Sequence, residues 1–338
     1  ELGGAVIGLF RFDETEFTEE TALMVTESNE IGYFEFDNVP AGNFLVREIA
    51  SPEAFVLTEE IFPVEITEDG QTIEITIENQ IIKGTAETIK VDADYPDHKL
   101  SGAVFEVYAD VDNNGEFNAD IDKLAGEMTE TEPGLYQMKD LVYRNYFLHE
   151  KEAPEFFEKD DGYYPFSITE NEAIVRIETE AGEGFLNKAQ TGSLKVVKTA
   201  DDDKVEGRTF KISGTDFMGN AYEQEFKTDE NGEINLTLRV GEYTVSEVAG
   251  EDSEKYILPD DQTVEIKAGE TTTVKMHNKL VPEVPSVPQT GDNPWMPAIL
   301  GTLAGLAVLS GGALLFLRYT GKKRKSADQA DEDQGTEE

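Results

Sequence analysis

Cysteine is absent from all 338 residues. No disulfide framework is available, so bracing of an exposed chain has to come from other chemistry. Histidine is scarce: His98, His149 and His277 are scattered without metal-ligand spacing and read as structural residues. Basic side chains are also few, 28 against 71 acidic ones, for a formal charge of −43. A field of that sign repels nucleic acid and anionic membrane surfaces, and suits a solvated, self-repelling body with some capacity for cations. No cluster resembles a substrate site, so no enzyme is expected. Long apolar helical patterns are missing as well, with one exception near the C-terminus.

That exception is residues 295–317, WMPAILGTLAGLAVLSGGALLFL, 23 residues without a charge. As a helix it would be about 35 Å long, enough for a bilayer core of about 30 Å. Arg318, Lys322, Lys323, Arg324 and Lys325 follow it. A basic cluster after an apolar span marks the cytoplasmic end. The pattern predicts a transmembrane helix over 295–317 and a cytoplasmic tail over 318–338, with all earlier residues outside the cell. Gly301 and Gly305 within the span form a GxxxG pair that could pack helices.

Just upstream stands SVPQTGDNPW, residues 286–295, in a linker over 281–294 where Pro282, Pro285 and Pro288 favour an extended chain. The order VPQTG, apolar span, basic tail resembles the LPXTG cell-wall sorting signal of Gram-positive surface proteins. The resemblance implies that Val287, Pro288, Gln289, Thr290 and Gly291 form the motif read by a sortase. The enzyme would cleave between Thr290 and Gly291 and pass the Thr290 carbonyl to an amine on peptidoglycan or on a pilin. The helix would then be a transient membrane anchor. Two features depart from the pattern: Val287 stands where Leu is usual, and the tail runs on through an acidic SADQADEDQGTEE.

The part before this signal repeats three times. "NEIGYFEFDNVPAGNFLVREIASPEAF", "TEPGLYQMKDLVYRNYFLHEKEAPEFF" and "ENGEINLTLRVGEYTVSEVAGEDSEKY" share one phrase. Gly32 precedes Glu48 by 16 residues, Gly134 precedes Glu150 by 16, and Gly232 precedes Glu247 by 15. Each repeat closes on a similar segment, "ITIENQ", "EGFLNKAQ" or "VKMHNK". Short runs of Val, Ile, Thr, Phe and Tyr lie between Gly, Asp, Asn and Pro, the signature of strands at regular spacing. The expected fold is all-β: tandem Ig-like sandwich repeats over 1–82, 83–190 and 191–280, the second carrying an acidic insertion.

Alternate residues share a strand face. Leu194, Val196 and Lys198 point one way; so do Tyr243, Val245 and Glu247, and so do Val274, Met276 and Asn278. An apolar face thus carries a Lys, a Glu and an Asn in one domain. Isolated buried charges are costly, so three such groups are expected to meet. Here the chain resembles the collagen-adhesin B-type, or SpaA-like prealbumin-like, repeats of Gram-positive adhesins and pilins. The resemblance implies an intramolecular isopeptide bond between a first-strand Lys and a last-strand Asn, assisted by an acid. On the matching motifs these are Lys198, Asn278 and Glu247 in the third repeat, and Lys90, Asn187 and Glu150 in the second. Burial disfavours the charged forms, the neutral amine attacks the carboxamide, the acid moves the proton, and ammonia leaves. The product would replace the missing disulfides.

The first repeat carries Glu48 and Asn79 on apolar faces, with Phe44 and Val46 and with Ile73, Ile75 and Ile77. Leu2 aligns with Leu100, ten residues after Lys90, so a matching Lys would fall before residue 1. The expectation is a chain that begins inside a domain and a repeat that cannot close its own bond. Within the acidic insertion, Asp110, Asp112 and Asn114 sit at positions 1, 3 and 5 of a loop with Gly115 at 6, resembling a calcium loop. Ile121 occupies position 12 where Glu is required, which favours a plain acidic turn, and no other cofactor is expected. "YPDHK" at 95–99 has a lysine but the wrong spacing for a pilin-type acceptor motif, and reads as a solvated loop. The preferred reading is a wall-anchored stalk or adhesin, open to a host extracellular-matrix partner. A pilus subunit is the alternative, and a secreted enzyme with these repeats as spacers is a third class.

Overall fold

The computed structural model describes residues 2–283. These residues form strands almost throughout, and the one helical element among them is a single 3₁₀ turn, Ser253–Lys255. Repeat 1 holds β1 (Val6–Arg11), β2 (Met24–Glu27), β3 (Gly42–Ala50), β4 (Phe55–Val56), β5 (Ile61–Ile66) and β6 (Gln80–Ile81). Repeat 2 holds β7 (Lys83–Asp92), β8 (Val104–Ala109), β9 (Lys123–Glu127), β10 (Thr129–Glu132), β11 (Leu135–Val142), β12 (Arg144–Glu152), β13 (Tyr163–Ile168), β14 (Ile174–Arg176) and β15 (Phe185–Asn187). Repeat 3 holds β16 (Thr191–Ala200), β17 (Thr209–Asp216), β18 (Ala221–Lys227), β19 (Glu233–Arg239), β20 (Gly241–Glu247), β21 (Tyr256–Ile257), β22 (Gln262–Ile266) and β23 (Thr271–Leu280).

Repeat 3 shows the plan most fully. One sheet runs β18-β17-β20-β22 and the other β19-β16-β23-β21. Phe210, Ile212, Tyr243 and Val245 of the first face Leu194, Val196, Val274 and Met276 of the second, all of them buried. A fully buried side chain of this size contributes about 2 kcal/mol, so the apolar alternation fixes which face turns inward. Repeat 2 repeats the plan with sheets β13-β12-β8-β9 and β10-β11-β7-β14, with β15 also pairing β7.

Repeat 1 keeps only the first of the two sheets, β2-β1-β3-β5, with a short β4–β6 pair beside it. The expected strand through Ile73, Ile75 and Ile77 does not form a ladder, and neither does Tyr33–Phe36. Ile75, Ile77, Phe34 and Phe36 still pack against the core. The reason lies in the other two repeats, where the corresponding segments pair on either side of the lysine strand. Among the described residues repeat 1 has no such strand, so its flanking segments have no central partner for their backbone groups.

Among the described residues no helix is long and apolar enough to cross a membrane. The expected span at 295–317, the tail and the VPQTG motif lie outside the described residues.

Candidate functional site

The strand register explains how the Lys and Asn come together. β16 and β23 run parallel as neighbours, with Lys198 level with Met276 and Ala200 level with Asn278. In repeat 2, β7 and β15 are also parallel, with Lys90 level with Phe185 and Asp92 level with Asn187. The same offset therefore places the Asn two residues along from the Lys on the adjacent strand, on the same face and within side-chain reach. The acid comes from the opposing sheet. Glu247 pairs with Phe210 and Glu150 with Phe105, each at the inner end of a central strand.

The recurring glycine has a role in this register. Gly134 and Gly232 have φ of 71° and 78°, and their carbonyls accept the backbone N–H of Lys90 and Lys198 at 2.8 Å in each case. A Cβ on Gly232 would lie 2.7 Å from the Lys198 carbonyl oxygen, closer than packing allows. Only glycine combines that left-handed backbone with so close an approach.

In repeat 2, Lys90, Glu150 and Asn187 are fully buried. Lys90 Nζ lies 3.1 Å from Glu150 Oε1 and donates to Asn187 Oδ1. The Asn187 amide nitrogen donates to both Glu150 oxygens at 2.9 Å. Phe185 lies over the amine at 4.3 Å, and Phe105 stands 5.8 Å away. This apolar enclosure pushes the Lys90 pKa down to about 8, burial outweighing the opposing pull of the Glu150 carboxylate.

In repeat 3, Lys198 Nζ lies 3.0 Å from Glu247 Oε2, and the Asn278 amide nitrogen donates to Glu247 Oε1 at 2.8 Å. Lys198 is also held below the ordinary lysine range, burial being the main cause and Glu247 opposing it. The contact of Lys198 with Glu247 is close but poorly aligned: neither Nζ nor Oε2 has a hydrogen-bond partner, and Asn278 Oδ1 has none either. An unpartnered Asn278 Oδ1 in a buried pocket is expensive for a merely structural network. An amine and a carboxamide held side by side, with a carboxyl bridging them, are the groups an amide exchange needs.

In repeat 1, Glu48 is buried and accepts from the Asn79 amide at 2.7 Å and from the Thr58 N–H at 3.0 Å. Its second oxygen, Oε1, has no partner. Asn79 also lines a cavity of about 430 Å³ together with Leu2, Ala5, Ile7, Phe34 and Ile77. Repeat 1 therefore brings its acid and amide together, and no lysine stands with them among the described residues.

The acidic insertion is closed by its own amides. Asp110 accepts from the N–H groups of Asn114 and Gly115 at 3.2 and 2.9 Å, and Asp122 from those of Val111 and Asn118 at 2.9 and 2.7 Å. Asp110, Asp112 and Asp122 bring carboxylate oxygens within 4.8 Å of one another. Asn114 turns its side-chain amide to Asp112 at 3.0 Å. Asp122, beside Ile121, closes the loop through its hydrogen bonds to the Val111 and Asn118 amides. In the 95–99 loop Tyr95, Pro96, Asp97 and Lys99 are exposed, while Tyr95 stacks on the half-buried His98 at 5.4 Å.

The fold and these sites define a class: tandem all-β repeats, each bringing an acid and a carboxamide into contact, with a buried lysine beside them in the two that form complete sandwiches. The SpaA family profile, described as a prealbumin-like fold domain, matches residues 1–81, 84–183 and 192–280, and the chain belongs to that family. No curated protein matches it. Among solved structures it is similar to the Bacillus anthracis TIE protein, at 25% identity and a TM-score of 0.59 over 82% of this chain and 48% of that one. The chain thus spans about half the length of that protein. A streptococcal ancillary pilin matches at 16% identity and a TM-score of 0.30, over 84% of this chain and 93% of that one. A minor pilin of Streptococcus agalactiae matches at 18% and 0.26, over 61% and 99%.

Proposed function

We propose that this chain is a cell-surface stalk or adhesin of a Gram-positive bacterium, anchored by sortase and braced by Lys–Asn isopeptide bonds in repeats 2 and 3. One observation carries the reading: two repeats bury the same Lys, Glu and Asn at the same strand register, in a chain without cysteine.

The chemistry balances within the chain. The neutral Lys Nζ attacks Cγ of the Asn, a C–N bond forms, and the bond from Cγ to the amide nitrogen breaks. The glutamate carboxyl takes a proton from Nζ and delivers it to the leaving nitrogen, which departs as ammonia. Burial holds the groups in contact, so the reaction needs no second enzyme and occurs once per site. The lowered lysine pKa supplies free amine near neutral pH.

That pKa has a consequence that can be measured where the bond is blocked. Asn187→Ala keeps Lys90 and Glu150 but removes the carbonyl to be attacked. Folded Lys90 titrates near 8, against an ordinary value of 10.5. Between those values the unfolded chain holds more protons than the folded one, so stability rises with pH. The cost is fully present below pH 8 and gone above pH 10.5. The rise amounts to about 3 kcal/mol. Urea unfolding of Asn187→Ala, compared with Lys90→Met/Asn187→Ala to cancel the tyrosines, should show it between pH 8 and 10. A difference that stays flat or falls contradicts a desolvated Lys90.

Anchoring is tested at Thr290, the acyl donor of the VPQTG motif. Thr290→Ala should abolish the wall-linked form and leave protein in the membrane or the medium. In cells carrying the unaltered chain, a single wall-linked species on denaturing gels supports the stalk. A ladder of covalent multimers supports the pilus-subunit reading. Wall linkage that survives Thr290→Ala contradicts sortase anchoring at this motif.

A further inference from the structure

Repeats 2 and 3 meet around one arginine. Arg239 ends β19, and its side chain is 13% exposed. Its Nη2 donates to Asp92 Oδ2 of repeat 2, while Nη1 lies 3.0 Å from Asp216 Oδ2 of repeat 3. Nε approaches Asp94 at 3.9 Å. Asp92 and Asp216 are themselves buried. The guanidinium carbon also stands 5.1 Å from the Tyr95 ring and 5.4 Å from that of Phe217. Below it, Phe217 of repeat 3 packs on Phe157 and Phe156 of repeat 2 at 5.3 and 5.2 Å. Leu100, Phe157 and Ala189 extend this cluster. The connection is short, since β15 ends at Asn187 and β16 begins at Thr191.

The junction of repeats 1 and 2 is built differently. Tyr143 donates its hydroxyl to Glu53 at 2.9 Å in an exposed contact, and its backbone N–H donates to the Ile82 carbonyl at 2.9 Å. Among the described residues the buried cores of these two repeats have no residue in common, and Ile82 of repeat 1 packs half-buried against the core of repeat 2.

We propose that Arg239 locks repeats 2 and 3 into one rigid segment, leaving bending to the junction of repeats 1 and 2. In a chain of charge −43, acidic faces of neighbouring repeats repel. A planar guanidinium can hydrogen-bond one carboxylate, as Nη2 does with Asp92, while its charge faces a second, Asp216, and its plane meets the rings, a combination a lysine ammonium does not offer. Removing it leaves Asp92 and Asp216 buried without their cation, a condition relieved by opening the joint. The lock grips β7 at Asp92, level with Asn187, so the arginine contact and the pocket of repeat 2 share one strand end. The lock does not depend on whether the isopeptide bond forms.

The absence of cysteine makes spin labelling direct. In the full chain, Glu132→Cys with Glu223→Cys reports the joint of repeats 2 and 3, and Asp69→Cys with Glu132→Cys reports that of repeats 1 and 2. Pulsed dipolar spectroscopy should give a narrow distance distribution for the first pair and a broad one for the second. Arg239→Ala should widen the first distribution roughly twofold and leave the second unchanged. Asp92→Asn, nearly isosteric, should widen it too and provides the test if Arg239→Ala does not fold. A first pair as broad as the second in the unaltered chain, or no widening in a folded variant, overturns the proposal.

Discussion

Glu247→Ala should lower the melting temperature of repeat 3 by about 20 °C or more. Two losses combine. Without the acid the amide bond does not form, and a cross-link closing a loop of about 80 residues is worth about 4–5 kcal/mol. The same substitution strands Lys198, which is buried with Glu247 as its carboxylate partner at 3.0 Å. Breaking a buried pair by removing one member costs about 3–5 kcal/mol on its own. Asn278→Ala separates the two effects, because it blocks the bond and keeps the ion pair; it should melt between the unaltered chain and Glu247→Ala. Calorimetry decides the matter, and a Glu247→Ala melting point within a few degrees of the unaltered one contradicts the role given to Glu247.

The second large effect concerns repeat 1. Its acid and amide are in contact, its Glu48 Oε1 has no partner, and a cavity of about 430 Å³ lies beside Asn79. In the other repeats the corresponding space holds a lysine strand. In a chain that starts at residue 1, a synthetic peptide with the sequence of residues 191–200, supplied in excess, should therefore enter the groove and become joined to Asn79 through the lysine corresponding to Lys198. The chain would gain the peptide mass less about 17 Da, one ammonia. Asn79→Ala should remove the adduct, as should a peptide carrying Met at the Lys198 position. No adduct, or one that survives Asn79→Ala, would show that repeat 1 lacks the geometry of the other two.

Side-chain parity made much of this legible. Alternation put Lys198 with Leu194 and Val196, Glu247 with Tyr243 and Val245, and Asn278 with Val274 and Met276, and those apolar neighbours are the sandwich interior. The all-β fold was equally open to reading, since short β-branched and aromatic runs between turn residues have few other solutions. Parity stops at register, however. It says that Lys198 and Asn278 turn inward, but not that Ala200 and Asn278 are level, because pairing is set by contacts far apart in sequence. The recurring glycine was visible as a pattern, while its reason, a carbonyl held against the lysine backbone, appears only when the strands are side by side. Ile73, Ile75 and Ile77 have strand alternation and form no ladder, because alternation cannot supply a neighbour. Arg239 gave no local signal: one cation among many acids reads as a solvated residue until two repeats close around it. That Asp122 closes the acidic turn was also beyond the sequence, since loop closure follows backbone hydrogen bonds and not a fixed count of positions.

The central claim is that burial turns a lysine into a nucleophile beside a waiting carboxamide, twice in this chain. Intact mass of the fully denatured protein tests it most directly. Two isopeptide bonds give a mass lower than the sequence value by about 34 Da, two ammonia molecules, with about 17 Da restored by Glu247→Ala and a further 17 Da or so by Glu150→Ala. A mass equal to that of the linear sequence would contradict it.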